Sequence, residues 1–180
     1  DIMFAFDECT TLLYTRPYQE DSVARTSRWA VRCLDEHAVQ TAARQHRPYQ
    51  ALFGVVQGAQ YEDLRRRAAR ELAEMTGDAH RDQQFAGFGI GGALEKTELS
   101  TIVGWVTDEL PESKPRHLLG ISEPDDLFAS IAAGADTFDC VAPSRQARGA
   151  TLYSSGGRIN AKAAKHRRRF EPIDPECDCY

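Results

Sequence analysis

Short apolar runs alternate with longer amphipathic ones as far as position 141, and this alternation limits the fold more than any other feature of the sequence. Residues 1–6, 52–56, 85–90, 117–121 and 135–141 have the length and apolar content of buried strands. Between them lie helical patterns. After a loop containing Pro17, a helix is predicted over about residues 21–45. Leu64, Ala68, Leu72 and Met75 form one helical stripe, and Leu99, Ile102, Val103, Val106 and Leu110 form another. Ser122 followed by Asp125 resembles a capping box that opens a helix through Leu127 and Ile131. Past position 150, Thr151-Leu-Tyr and Gly156-Gly-Arg-Ile predict a hairpin, then a basic helix from about Ala161.

Regular strand–helix alternation predicts an α/β fold with a parallel sheet. About five βα units make either an open doubly wound sheet or part of a (β/α)8 TIM barrel, which needs about 250 residues when complete. No GxGxxG follows the first strand, which disfavours a dinucleotide-binding sheet. Asp7, Gln57, Gly91-Gly92, Gly120 and Asp139 all fall at or just past the C-terminal end of a predicted strand. In parallel α/β folds those ends form the ligand site.

Charge tests which ligands are reasonable. The 180 residues carry a net charge of −5, which on its face argues against a nucleic-acid partner. The distribution reverses that inference. Residues 142–170 hold eight basic side chains and no acid, residues 1–141 hold 14 basic against 23 acidic, and residues 171–180 hold four acids. An acidic body precedes a basic segment fit to meet phosphates, or, more simply, a solvated basic helix. No apolar run is long enough to cross a bilayer. Five cysteines, an odd count without a secretory pattern, fit a reducing cytoplasm. Cys177 and Cys179, one residue apart, suit metal ligation better than mutual bonding.

Seven blocks then stand in a recognisable order: Phe6-Asp-Glu-Cys-Thr10, Ser27-Arg-Trp-Ala30, Phe53-Gly-Val-Val-Gln-Gly58, His117-Leu-Leu-Gly120, Phe138-Asp-Cys-Val-Ala-Pro-Ser-Arg145, Gly157-Arg-Ile-Asn160 and Asp174-Pro-Glu-Cys-Asp-Cys-Tyr180. The chain closely resembles the tRNA-guanine transglycosylases, also called queuine tRNA-ribosyltransferases. The resemblance implies a partial TIM barrel over residues 1–141, followed over residues 142–180 by a basic tRNA-contacting segment and the start of a zinc-binding subdomain. It implies exchange of guanine at the tRNA wobble position for a 7-deazaguanine base, in queuosine formation in the cytoplasm. Asp139 matches the nucleophile, Asp7 the base-recognising carboxylate, Gln57 its amide partner and Gly92 a backbone contact. Leu119 stands where the family has an apolar wall, Gly120 lets the base approach, and Cys9 lines the same pocket. Arg145 and Arg148 match contacts near the reacting nucleotide, and Lys162, Lys165, Arg167, Arg168 and Arg169 suit more distant phosphates. Cys177 and Cys179 match the first two ligands of a structural Zn2+ site, and the other two are expected beyond Tyr180.

The family's general acid–base Asp is expected upstream of Asp1, so this stretch alone is expected to be the inactive C-terminal part of a larger barrel. The family often dimerises through its zinc region, which leaves a homodimer of the full-length protein open; the oligomeric state is not readable from the sequence. Ala93-Leu-Glu-Lys-Thr97 departs from the common bacterial pattern, which leaves the choice among preQ1, queuine and preQ0 open. Two other functions stay open on sequence alone: a non-catalytic tRNA-binding accessory subunit, and a paralogue that inserts deazaguanine into DNA.

Overall fold

The apolar runs are extended at their centres and pair side by side. In the structure, a computed structural model describing residues 1–44, 46–92, 94–121, 123–176 and 178, they form β1 (Ile2–Phe4), β2 (Ala51–Val56), β3 (Gly87–Ile90), β4 (Arg116–Leu118) and β5 (Thr137–Phe138). Each strand pairs in parallel with the next, in the order β1-β2-β3-β4-β5. Parallel neighbours need a crossover connection, and each one here runs through a helix. These are α1 (Arg16–Ala43), α2 (Glu62–Glu74), α3 (Leu99–Thr107) and α4 (Pro124–Ala132). The sheet curls, so the unit Asp1–Asp139 is a partial (β/α)8 barrel.

Alternation along the strands separates two faces. Leu52, Val56, Phe88, Ile90 and Leu118 point to the helices and share one core with Val23, Ala30 and Leu34 of α1, Ala68 and Leu72 of α2, and Val103 and Val106 of α3. Burying each large apolar side chain contributes about 1.5–3 kcal/mol, so this layer is the main source of cohesion. The inner face carries Phe4, Phe53 and Val55, but β3 and its extension present only Gly87, Gly89 and Gly91 there. Rings of neighbouring strands fill the space left. A Cβ on Gly89 would lie 2.9 Å from the Phe4 ring, and one on Gly87 would run into the buried Phe53 ring.

Three local expectations are corrected. Helix α1 begins at Arg16, not near residue 21, because Pro17 lies in its first turn, where a missing N–H costs nothing. Glu123, extended and without a side-chain cap bond, holds the N-cap position of helix α4 with Pro124 next; Ser122, the expected cap, lies outside the described residues. Among the described residues no basic helix forms after residue 160. The unit Cys140–Tyr180 contains α5 (Ala142–Arg148), a hairpin of β6 (Thr151–Ser154) and β7 (Gly157–Asn160), and a single 3-10 turn at Ala164–His166. Lys162, Lys165, Arg168 and Arg169 would stack like charges three and four residues apart in a helix, with no acid between to relieve them. Asn160 also accepts the Lys162 N–H at 3.0 Å, which favours a turn.

The glycine environments predict opposite outcomes in the full-length protein. Gly87→Ala should destabilise by about 1–3 kcal/mol through overpacking. Gly104→Ala, in α3 with nothing within 4 Å of a Cβ, should stabilise by roughly 0.5–1 kcal/mol. Urea unfolding midpoints of the two variants should move in opposite directions.

Candidate active site

Asp7 follows β1 in a loop that α1 holds in place. Thr26 Oγ1 accepts the Glu8 N–H at 3.1 Å, and Ser22 donates to the Glu8 carbonyl at 3.0 Å. The Glu8 carboxylate takes a hydrogen bond from Tyr18 at 2.7 Å and an ion pair from Arg25. The Tyr18 hydroxyl, helped by Arg25 against some burial, holds the Glu8 carboxyl below its ordinary pKa. Further along, the buried Gln19 accepts from Thr10 Oγ1 and donates to the Thr11 carbonyl at 2.8 Å. An exposed carboxylate is thereby fixed at the end of β1. At the end of β2, the buried Gln57 donates its Nε2 to Asp7 Oδ2 at 2.5 Å. Cys9, an exposed free thiol, lies in the same loop.

Beneath this pair runs Arg65, which is fully buried. Its Nε donates to the Ala59 carbonyl at 2.8 Å, and its Nη1 donates to the carbonyls of Val56 at 3.1 Å and Gly91 at 2.7 Å. One side chain of α2 therefore joins the ends of β2 and β3. Burial brings the guanidinium down to about 9, against a small opposing effect of Cys9, so it remains charged at neutral pH. Arg65 Nη2 and Gln57 Oε1 are both buried without a hydrogen-bond partner among the described residues. Both border Gly92: a Cβ there would lie 2.6 Å from Gln57 Oε1 and 3.2 Å from Arg65 Nη2, and its φ is +88°. Space and backbone both require glycine at this position.

On the other side of β3, Leu119 leans toward Gly89, and Gly120 has a φ of +78°. The Gly120 N–H donates to Asp139 Oδ1 at 3.1 Å, and His117 Nε2 lies 3.1 Å from the same oxygen. Asp139 is exposed on the rim, with 59% of its side chain accessible. Asp136, just before β5, is occupied elsewhere: its carboxylate accepts the Arg116 N–H at 2.8 Å and lies 3.4 Å from the Arg116 guanidinium. Two groups in this site escaped the sequence reading. Arg65 is a charge inside an apolar helical stripe, a signal readable in retrospect. His117 alternates with Leu119 on the strand face opposite Leu118; it opens one of the motif blocks, but nothing in the sequence gave it a role.

In the unit Cys140–Tyr180, Arg145 and Arg148 are exposed on α5, and Lys162, Lys165, Arg167 and Arg168 are exposed around the 3-10 turn. Arg169 is also exposed, 3.9 Å from Glu171. Asp174 accepts the Ser155 N–H at 2.9 Å, the Ser155 hydroxyl at 2.8 Å and the Glu176 N–H at 3.1 Å, bonds that lower its pKa. Cys177 and Cys179 lie outside the described residues, and no group of three or more metal-ligating side chains occurs among the described ones.

Acid, amide, glycine backbone and an exposed carboxylate stand at C-terminal strand ends of a curled parallel sheet, where parallel α/β folds place their ligand sites. A family profile described as queuine tRNA-ribosyltransferase matches residues 1–180. The queuine tRNA-ribosyltransferase of Lactococcus lactis is 45% identical over 184 residues, covering all of this chain and 44% of the relative. That of Bacillus subtilis is 44% identical over 183 residues, with the same coverage. This chain belongs to the queuine tRNA-ribosyltransferase family, and it spans less than half the length of the curated relatives it matches.

The Arg65 bonds generate a stability prediction. In the full-length protein, Arg65→Met should cost about 2–4 kcal/mol, because three carbonyls lose their donor. Arg65→Lys should recover less than half, since an ammonium cannot span the same fork. Equal stability of Arg65→Lys and wild type in denaturant titrations would refute the bridging role.

Proposed function

We propose that the full-length protein exchanges guanine at the wobble position of tRNA for a 7-deazaguanine base, preQ1 or queuine, through a covalent aspartyl-ribosyl intermediate. The observation that carries this reading is Asp139, exposed on the same sheet rim as the bonded Asp7–Gln57 pair in a member of this family. Exchange at C1′ with retention takes two displacements. An Asp139 oxygen attacks C1′ of the ribose as the C1′–N9 bond breaks. Guanine leaves with the electron pair and is protonated by a general acid, which the family supplies from an earlier strand. N9 of the incoming base then attacks C1′, loses its proton, and frees the Asp139 carboxylate.

The remaining groups suit the base. Guanine and its 7-deaza relatives present N1–H and N2–H2 donors beside an O6 acceptor. Asp7 keeps Oδ1 available for those donors, Gln57 retains a second amide hydrogen, and Gly92 offers backbone where no side chain fits. Leu119 and Gly120 border the base, and Cys9 lies nearby. Such an edge can be read only after the nucleotide leaves the stack. Arg145, Arg148, Lys162, Lys165, Arg167, Arg168 and Arg169 take phosphates, which explains a basic segment on an acidic protein. Cys177 and Cys179 supply two thiolates of the donor type structural Zn2+ prefers, half of a tetrahedral set. The ion would order the second unit and take no part in the exchange. We place the reaction in the cytoplasm.

Two measurements test this. Asp139→Asn in the full-length protein should reduce guanine exchange into tRNA by at least about 10³-fold and remove the tRNA adduct from denaturing gels. Retained exchange would overturn the nucleophile; exchange into DNA but not tRNA would overturn the substrate. Replacing Arg145 and Arg148 together by Ala should weaken tRNA binding for all sequences and reduce the slope of log K against log salt by about 1.5–2. An unchanged slope would remove these two residues from the phosphate contacts.

A further inference from the structure

Asp139 receives two donors on one oxygen. Gly120 N–H and His117 Nε2 both lie 3.1 Å from Oδ1, and among the described residues no hydrogen bond reaches Oδ2. The histidine is itself held from behind. Its Nδ1 lies 2.8 Å from Thr137 Oγ1, and the Phe4 ring stands 5.3 Å away, centroid to centroid, tilted by 49°. Only 14% of the His117 side chain is accessible. A carboxylate is an acceptor only, so the ring must carry its hydrogen on Nε2, and in the neutral ring Nδ1 then accepts from the Thr137 hydroxyl. Both ring nitrogens are thereby used, and neither can turn away without losing a bond.

We infer that His117 is a positioning residue that fixes the Asp139 carboxylate by Oδ1 and so makes Oδ2 the atom that attacks C1′. The inference rests on Asp139 being the nucleophile proposed above. In the first displacement an Oδ2 lone pair forms the bond to C1′, the C1′–N9 pair departs with guanine, and Oδ1 becomes the carbonyl oxygen of the glycosyl ester. In the second, the ester C1′–Oδ2 bond breaks and its pair returns to the carboxylate. The two N–H groups stay on Oδ1 throughout, so they hold the trajectory in both steps and steady the leaving carboxylate in the second. Gly120 supplies one of these donors from the backbone and cannot be removed by substitution. His117 supplies the other and can.

The test uses the full-length protein with tRNA and labelled guanine, comparing His117→Phe, His117→Gln and Asp139→Asn. Glutamine places an amide N–H where Nε2 was, whereas phenylalanine has no donor. His117→Phe should lower kcat about 10- to 100-fold with KM for tRNA and for guanine within about threefold, and His117→Gln should return kcat to within about fivefold of wild type. If the phenylalanine variant does not fold, His117→Asn, whose amide stops short of the carboxylate, takes its place with the same expected loss. A kcat unaffected by loss of the donor, a loss confined to KM, or glutamine no better than phenylalanine would overturn the positioning role while Asp139→Asn stayed inactive. Exchange retained by Asp139→Asn would instead overturn the nucleophile itself, and this inference with it.

Discussion

A buried cation bonded only to backbone carbonyls is the constraint on which the site depends. Arg65 has no carboxylate partner among the described residues, and desolvating a charge is costly unless dipoles replace the water. The carbonyls of Val56, Ala59 and Gly91 do so only if β2 and β3 end side by side and the chain after Gln57 folds back over α2. Misplacing any of them would leave a charge unsolvated. The same guanidinium borders Gly92 and lies under Gln57, so the requirement that stabilises the strand ends also fixes where amide and backbone meet a ligand.

The parallel α/β architecture was legible because periodicity is a local signal: short apolar runs have nowhere to go but a sheet buried on its helix side. Asp7, Gln57, Gly92, Gly120 and Asp139 were legible because strand ends are the positions where a parallel fold puts chemistry. The start of α1 was misread because Pro17 breaks a helix interior but suits a first turn, and only the course of the preceding loop distinguishes the two. The expected basic helix failed because composition favoured it while like-charge spacing opposed it. The role of His117 was invisible for a different reason. Its partner Asp139 is 22 residues away, and only strand register brings the two within 3.1 Å.

The two sheet margins show how incomplete the burial of this chain is. Among the described residues β1 pairs only with β2, and Ile2, Met3, Phe4 and Phe6 are exposed near its open side, beside a cavity of about 580 Å3 lined in part by Trp29 and Cys33. β5 pairs only with β4 among the described residues, and Phe128 and Ile131 of the adjoining α4 are exposed. Open apolar strand edges are adhesive, and a closed barrel removes them.

The glycines of β3 have a consequence for binding thermodynamics. A pocket floor made of side chains must immobilise rotamers when a flat aromatic ligand settles on it, at about 0.5–1.5 kcal/mol for each flexible group. Gly87, Gly89 and Gly91 have no rotamers to lose, and the Phe4 and Phe53 rings that fill the space beside them are stiff two-torsion groups already packed edge to face at 84°. A planar base meeting this floor would lose its own freedom and almost none of the protein's.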